Sequence, residues 1–420
     1  MRLMKELIII FLPFRDALGF FIGSTPIRIG ELFSVFWFGQ IANNLTSKIN
    51  RKEGLLLFTL FLNLLITFLG VSVFHDTINA NFAIKYIIRN ILNFVFVTGF
   101  IFSTIKYNED DIERLVKFVV VLQFCTFIVL YVFQHYFYMG SLYGIEDYRD
   151  SGLFVGSIWL PRFIGTCSEP GYLAPILSFP LFFYLKRILN QKKRHDMLFL
   201  SMCFLMVVFT FSAAVYFMAA LITTYVVIEN LYTKKTVNKM MAYILLIFGL
   251  GIIVFIWLLI NNSPLLDYVI DGIIYKIVAY LTLVEGEYMS SSDRIQQLGN
   301  CVFFILDGNF LQLLIGHGTG GYANFSMATG ELISSAEEAY NLYLSTLADR
   351  GLLGLGCLVM LFICLKSMII KGDLYSQTIF LALLSQFMHW MIVGNFWLYY
   401  FWYEVVLLVG YYKYKSTMNS

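Results

Sequence analysis

Apolar residues fill this chain in long blocks rather than in narrow stripes. Runs of about 20 residues with few charges recur, and a helix of that length crosses the hydrocarbon core of a bilayer. Spans are expected near 6–23, 29–46, 55–74, 83–105, 115–138, 171–185, 197–211, 213–232, 240–260, 343–366, 375–393 and 396–412. The run 197–232 is too long for one helix, and its break is expected at Thr210-Phe211-Ser212, where a tight turn yields two short spans. The fold class that follows is an all-α integral membrane protein, one polytopic domain over 1–420, with about 12 transmembrane helices. No internal repeat divides the chain into equivalent halves, so a duplicated transporter architecture is not indicated.

Composition agrees with the pattern. The chain is 59% apolar, 18% aromatic and only 13% charged, about half the charged fraction of a soluble domain. A net charge of +2 points neither to nucleic acid nor to an acidic substrate. The distribution of charge is more informative. With the N-terminus inside, most of the 29 Lys and Arg residues, among them Arg51, Lys52, Lys192, Lys193, Lys413 and Lys415, fall at cytoplasmic ends, as retention of basic loops requires. Both termini are then cytoplasmic. The basic start Met1-Arg2-Leu3-Met4-Lys5 runs on without a small-residue cleavage site and reads as a retained first span.

This topology leaves two long outer segments, 139–170 and 261–342. Just before a span, the first carries Arg162 and Glu169 among Pro161, Gly165, Pro170 and Gly171. The prolines and glycines argue against continuous helix, and irregular backbone at membrane depth needs protein or a water-filled cavity around it. Arg162 and Glu169 form an interfacial ion pair, or Arg162 offers its planar donors to an anionic group. The second segment carries Asp293-Arg294 and the stretch Ile315-Gly316-His317-Gly318-Thr319-Gly320-Gly321. Its glycines allow close approach to a ligand or a simple turn, and His317 is the histidine whose setting leaves it accessible. Further on, Ser334 and Ser335 before Glu337 and Glu338 resemble a helix start. On such a helix Glu338, Asn341 and Ser345 share one polar face. Asp349-Arg350 reads as a local ion pair ahead of the Gly351 break.

Other polar residues point to structure. His389 lies inside a span that can face Glu404, and the aromatic residues Trp397, Tyr399, Tyr400, Trp402 and Tyr403 of the last span suit an interfacial belt. Clustered His, Cys or Asp patterns that would hold a metal are missing. Of the six cysteines, only Cys167 and Cys301 fall in polar outer segments; they are the pair a disulfide would join, although no spacing rule demands it.

Three stretches together resemble the Wzy-type O-antigen and polysaccharide polymerases, which share a polytopic fold with the O-antigen ligases. They are Arg162-x-x-Gly165-x-x-x-Glu169-Pro170, then Arg294 followed by Leu-Ile315-Gly316-x-Gly318, then Tyr340-Asn341-x-Tyr-Leu with Asp349-x-Gly351-Leu-Leu-Gly354. The resemblance implies a GT-C-like membrane glycosyltransferase in a bacterial inner membrane, with its site facing the periplasm or exterior and no metal or cofactor. It implies transfer of a growing glycan from undecaprenyl diphosphate to a sugar hydroxyl of another lipid-linked repeat unit. Partners would be those lipid-linked units, membrane lipid and a chain-length regulator, with no nucleic acid. Such chemistry needs cations at the departing diphosphate, for which Arg162 and Arg294 stand, and a base for the attacking hydroxyl. Many relatives place histidine before the Asn of the third stretch, where this chain has Tyr340. That departure counts against a ligase and leaves Glu338, Glu169 and His317 as candidate bases, with Tyr340 and Asn341 as substrate contacts.

Overall fold

The computed structural model describes residues 2–12, 19–22, 25–28, 37, 41, 49–132, 152–155, 158–167, 170–191, 194–234, 289–328, 341–391 and 399–418. In chain order the helices are α1 (Arg2–Phe11), α2 (Arg51–Val73), α3 (Ala80–Phe102), α4 (Glu109–Val132), α5 (Leu173–Gln191), α6 (Arg194–Phe209), α7 (Ala213–Lys234), α8 (Met289–Leu306), α9 (Phe310–Ile315), α10 (Gly321–Ala328), α11 (Leu342–Ser367), α12 (Leu374–His389) and α13 (Tyr399–Met418). Four short strands accompany them: β1 (Gly19–Ile22), β2 (Thr25–Arg28), β3 (Gly152–Val155) and β4 (Ile158–Pro161). Among the described residues α2, α3, α4 and α11 are each long and apolar enough to cross a membrane. The chain is thus a helical membrane protein.

Most expected spans coincide with helices, and the break at Thr210-Phe211-Ser212 separates α6 from α7. The expected span 6–23 does not stand as one helix. α1 stops at Phe11 and Gly19–Ile22 is a strand. Between them Pro13, a residue type that disfavours helix interiors because it lacks an N–H, opens the stretch 13–18, which lies outside the described residues. The span 240–260, and 29–46 apart from Trp37 and Ile41, lie outside the described residues.

Two units divide the chain, one of Met1–Leu12, Ile27–Asn108 and Glu287–Ser420, the other of Pro13–Pro26 and Glu109–Gly286. In the first, α2 packs along α11. The buried positions of α2 include Leu56, Thr59, Leu60, Asn63, Thr67 and Gly70, a helical stripe in which small and polar residues sit among leucines. Small residues are what let two helices approach closely in lipid, where no hydrophobic force drives association. α2 begins on a reciprocal cap: Asn50 Oδ1 accepts the Lys52 amide at 3.2 Å while the Asn50 amide donates to Glu53 at 3.0 Å.

α13 packs on α3 and α12 and is buried from Tyr400 through Tyr411. Tyr400, Trp402 and Tyr403 therefore do not form an interfacial belt. Tyr403 meets Phe96 at 5.3 Å between ring centroids, and Phe401 meets Trp390 at 4.6 Å. Burial runs through consecutive residues of α13, which periodicity cannot reveal in an all-apolar run.

In the second unit α5 is the central helix, flanked by α4, α6 and α7. Ion pairs tie its C-terminal end to them: Arg187 to Glu113 at 2.8 Å and Asp196 at 2.9 Å, and Lys186 to Glu229 at 2.9 Å. All six cysteines are free, Cys167 and Cys301 included, so the considered disulfide is not formed; both thiols are buried and behave as small apolar groups.

Candidate functional site

Arg162 and the 210–212 turn, singled out separately in the sequence, belong together. β4 delivers the chain to Arg162, whose Nη2 donates to the Phe211 carbonyl at 3.0 Å and whose Nε donates to the Thr210 carbonyl at 3.4 Å. These carbonyls follow the end of α6, where the last turn leaves acceptors unmatched. The neighbouring segment is pinned as well. The Phe163 amide donates to the Phe209 carbonyl at 2.8 Å, while Gln123 of α4 binds Thr166 through both ends of its amide at 2.6 and 3.1 Å. Arg162 is thus built into the turn on two carbonyl oxygens. Its expected partner Glu169 lies outside the described residues.

In the other unit, the glycine stretch does not form an open loop. The His317 amide donates to the Ala348 carbonyl at 2.8 Å, and the Asn79 amide to the Gly320 carbonyl at 3.0 Å. Gly316 and Gly351 both have positive φ, 79° and 63°, and the two backbones touch. A Cβ on Gly351 would stand 2.5 Å from the Gly316 nitrogen, and one on Gly316 would strike the Asp349–Arg350 peptide. The second and third motif stretches are therefore packed backbone to backbone, with Gly318 lying against Gly70 of α2. Only residues without a side chain permit this approach.

Asp349 and Arg350, expected to pair with each other, attract one another electrostatically, and each also holds further hydrogen-bond partners, because successive helical residues point about 100° apart. Asp349 accepts the amide of Tyr322 at 3.5 Å and that of Gly320, at the start of α10. A carboxylate there suits the amide-rich end of a helix. Arg350, 1% exposed, donates to Asn63 at 2.7 Å, to Thr346 at 2.9 Å and to the Tyr86 hydroxyl at 3.3 Å, with the Tyr86 ring 5.5 Å away. A buried guanidinium in a membrane protein is costly unless its donors are met. α2, α3 and α11 each supply an acceptor. The available signal for this network was an Asn and a Tyr inside apolar runs, at positions where lipid-facing residues carry no amide or hydroxyl.

The remaining candidates are distributed as follows. Arg294 lies on the backbone of α8, its side chain outside the described residues, as are Glu338 and Tyr340 altogether. Asn341 is the N-cap of α11, its Oδ1 accepting the amides of Tyr343 at 2.9 Å and Leu344 at 3.1 Å and its Nδ2 donating to the Met391 carbonyl at 3.1 Å. Its backbone is extended, so α11 starts after it and Asn341 does not share a helical face with Ser345, while Glu338, the third member of the expected face, lies outside the described residues. Asn is among the best N-cap residues, and the upstream Ser334 and Ser335 lie outside the described residues. His317 is half-buried, its ring packed at a tilt of 32° against Phe304 with 4.1 Å between centroids. Burial pushes its pKa down, and nearby Asp307 offsets part of that. The imidazole is neutral at neutral pH and has a lone pair with which to take a proton. Among the described residues no three His, Cys, Asp or Glu side chains gather as a metal site.

No family model and no curated protein sequence matches this chain.

Proposed function

We propose that the chain is a polysaccharide polymerase of the Wzy type, a metal-independent membrane glycosyltransferase. It moves a growing glycan from undecaprenyl diphosphate to a sugar hydroxyl of another lipid-linked repeat unit, on the outer side of a bacterial inner membrane. On this reading twelve spans place both termini in the cytoplasm, Arg162 and Arg294 offset the charge of the departing diphosphate, and a neutral His317 or a carboxylate of Glu338 or Glu169 accepts the hydroxyl proton. The observation that supports it most is the packing of Gly316–Gly321 on Asp349–Gly351. Two of the three stretches that carry the resemblance lie far apart in sequence yet share one backbone contact, as parts of a common site should. Tyr340, in place of histidine, favours a polymerase over a ligase.

The test is the length of surface glycan. Replacing Arg162 or Arg294 by Ala should abolish elongation while single repeats still reach the surface, with the protein inserted and abundant. Wild-type chain lengths in both variants would overturn the proposal. In a deletion strain, single repeats on the final acceptor indicate a lost polymerase, and polymer stranded on the lipid carrier indicates a ligase. Glu338→Gln with unchanged polymerisation would remove Glu338 as the base.

A further inference from the structure

The segment from α8 through α9 carries an apolar surface that the glycosyl-transfer reading does not use. The stretch Cys301-Val302-Phe303-Phe304-Ile305-Leu306 has no polar side chain on any face. Its inner side is covered: Cys301 and Ile305 are buried with Tyr322 and Ala348. Its outer side is bare, with Phe303 and Leu306 at 63% and 77% exposure, and Phe310 across the turn reaches 80%. A helix apolar all round belongs in a protein core or in lipid. Among the described residues nothing covers this side.

The depth of the segment decides between water and lipid. α9 packs on α11, and Gly316 at its end touches Asp349 and Arg350. From Gly351 to Ser367, at the basic end of the helix, α11 rises about 24 Å, within the ~30 Å hydrocarbon core. Directly after the contact, Leu352 and Leu353 of α11 are exposed at 48% and 43%, and Val359 and Ile363 follow at 54% each. On a span these outward side chains face acyl chains. Through the packing of α9 on α11 and the Gly316 contact, the exposed residues of α9 lie near the level of Leu352 and Leu353. In the turn between the two helices, exposed Asp307 and Asn309 supply polar groups suited to the headgroup layer, while Leu306 and Phe310 flank them.

We infer that α8–α9 is an interfacial hairpin seated in the bilayer leaflet at the Leu342 end of α11, with Phe303, Leu306 and Phe310 in contact with lipid acyl chains. α8 and α9 are then a membrane-docked element that fixes the depth of the glycine stretch, not a loop standing in water. This inference rests only on the membrane-embedded fold and holds whatever reaction the protein performs.

The test is spin-label accessibility in the full chain reconstituted in vesicles of phosphatidylethanolamine and phosphatidylglycerol. A background carrying Cys125→Ala removes the one exposed cysteine of the six, and Leu306→Cys and Phe310→Cys are labelled in turn, with Val359→Cys as the hydrocarbon reference. The expected result is collision with oxygen well above collision with a water-soluble nickel chelate at both positions, as at Val359. Access dominated by the nickel chelate would show the hairpin in water, and access to neither reagent would show a protein cover; either overturns the inference. Both target positions are largely exposed, so their labels leave the packed core intact, and the two report independently.

Discussion

Arg162 closes the turn at Phe211, its Nη2 donating to the Phe211 carbonyl at 3.0 Å while Phe211 itself holds a φ of 45°. A positive φ on a bulky residue is strained and persists only where the surroundings impose it. Arg162 is one of those surroundings. Arg162→Ala should therefore lower the thermal unfolding midpoint in detergent, at a cost of about 1–3 kcal/mol for carbonyls left unmatched. Arg162→Lys, with a single ammonium in place of a fork, should recover only part of it. An unchanged midpoint in Arg162→Ala would remove the clamp, and would also make any loss of elongation in that variant an effect on chemistry alone.

Gly351 faces Gly316 where the glycine stretch meets α11. A methyl there meets backbone atoms of Gly316 and Leu314 at 2.5 Å, and backbone cannot swing aside as a side chain can. Gly351→Ala should cost more than the about 1–3 kcal/mol that positive-φ strain alone carries, and should expose the 316–321 stretch to protease. Gly372 provides the control. Its φ is 79° with nothing near a built Cβ, so Gly372→Ala should pay only the strain of about 1–2 kcal/mol. Equal effects in the two variants would contradict the close packing.

Apolar block lengths make most of the helices legible in the sequence, and the polar break at Thr210-Phe211-Ser212 marks where α6 gives way to α7. The candidate arginines were visible as charges beside spans. Their partners were not, because residues such as Asn63, Tyr86 and Arg350 meet across 264 and 287 positions of sequence, a pairing that only tertiary packing creates. Asn341 shows the opposite error. A residue read as one of a polar face is a helix cap, because local backbone amides reach its side chain first.

Arg350 should be among the least replaceable residues of the first unit. Its donors meet Asn63, Thr346 and Tyr86, so Arg350→Leu strands the Asn63 amide oxygen in a buried site. Arg350→Lys keeps the charge but cannot span three acceptors with one ammonium. Losses of at least about 2 kcal/mol are expected for both, seen as reduced midpoint or failure to accumulate. Asn63→Leu combined with Arg350→Leu should recover part of the loss, since removing both partners removes the orphaned group. A double variant as unstable as the sum of the two would argue against the contact.

His317 links acidity to this same loop. Burial holds its pKa below the usual 6.5, partly offset by Asp307. Between the folded and unfolded values the unfolded chain binds more protons, so stability is full above about pH 6.5 and is lost as pH falls toward the depressed folded pKa. The wild-type midpoint should therefore drop between about pH 7 and pH 5 by an amount that His317→Gln, which does not titrate, fails to show. Equal drops in the two proteins would place the acid sensitivity elsewhere. Elongation at neutral pH then separates the roles of the ring. If His317→Gln folds with a flatter pH profile but adds no repeats, the imidazole takes the proton of the attacking hydroxyl. If it folds and elongates normally, the ring only packs on Phe304, and the base is a carboxylate.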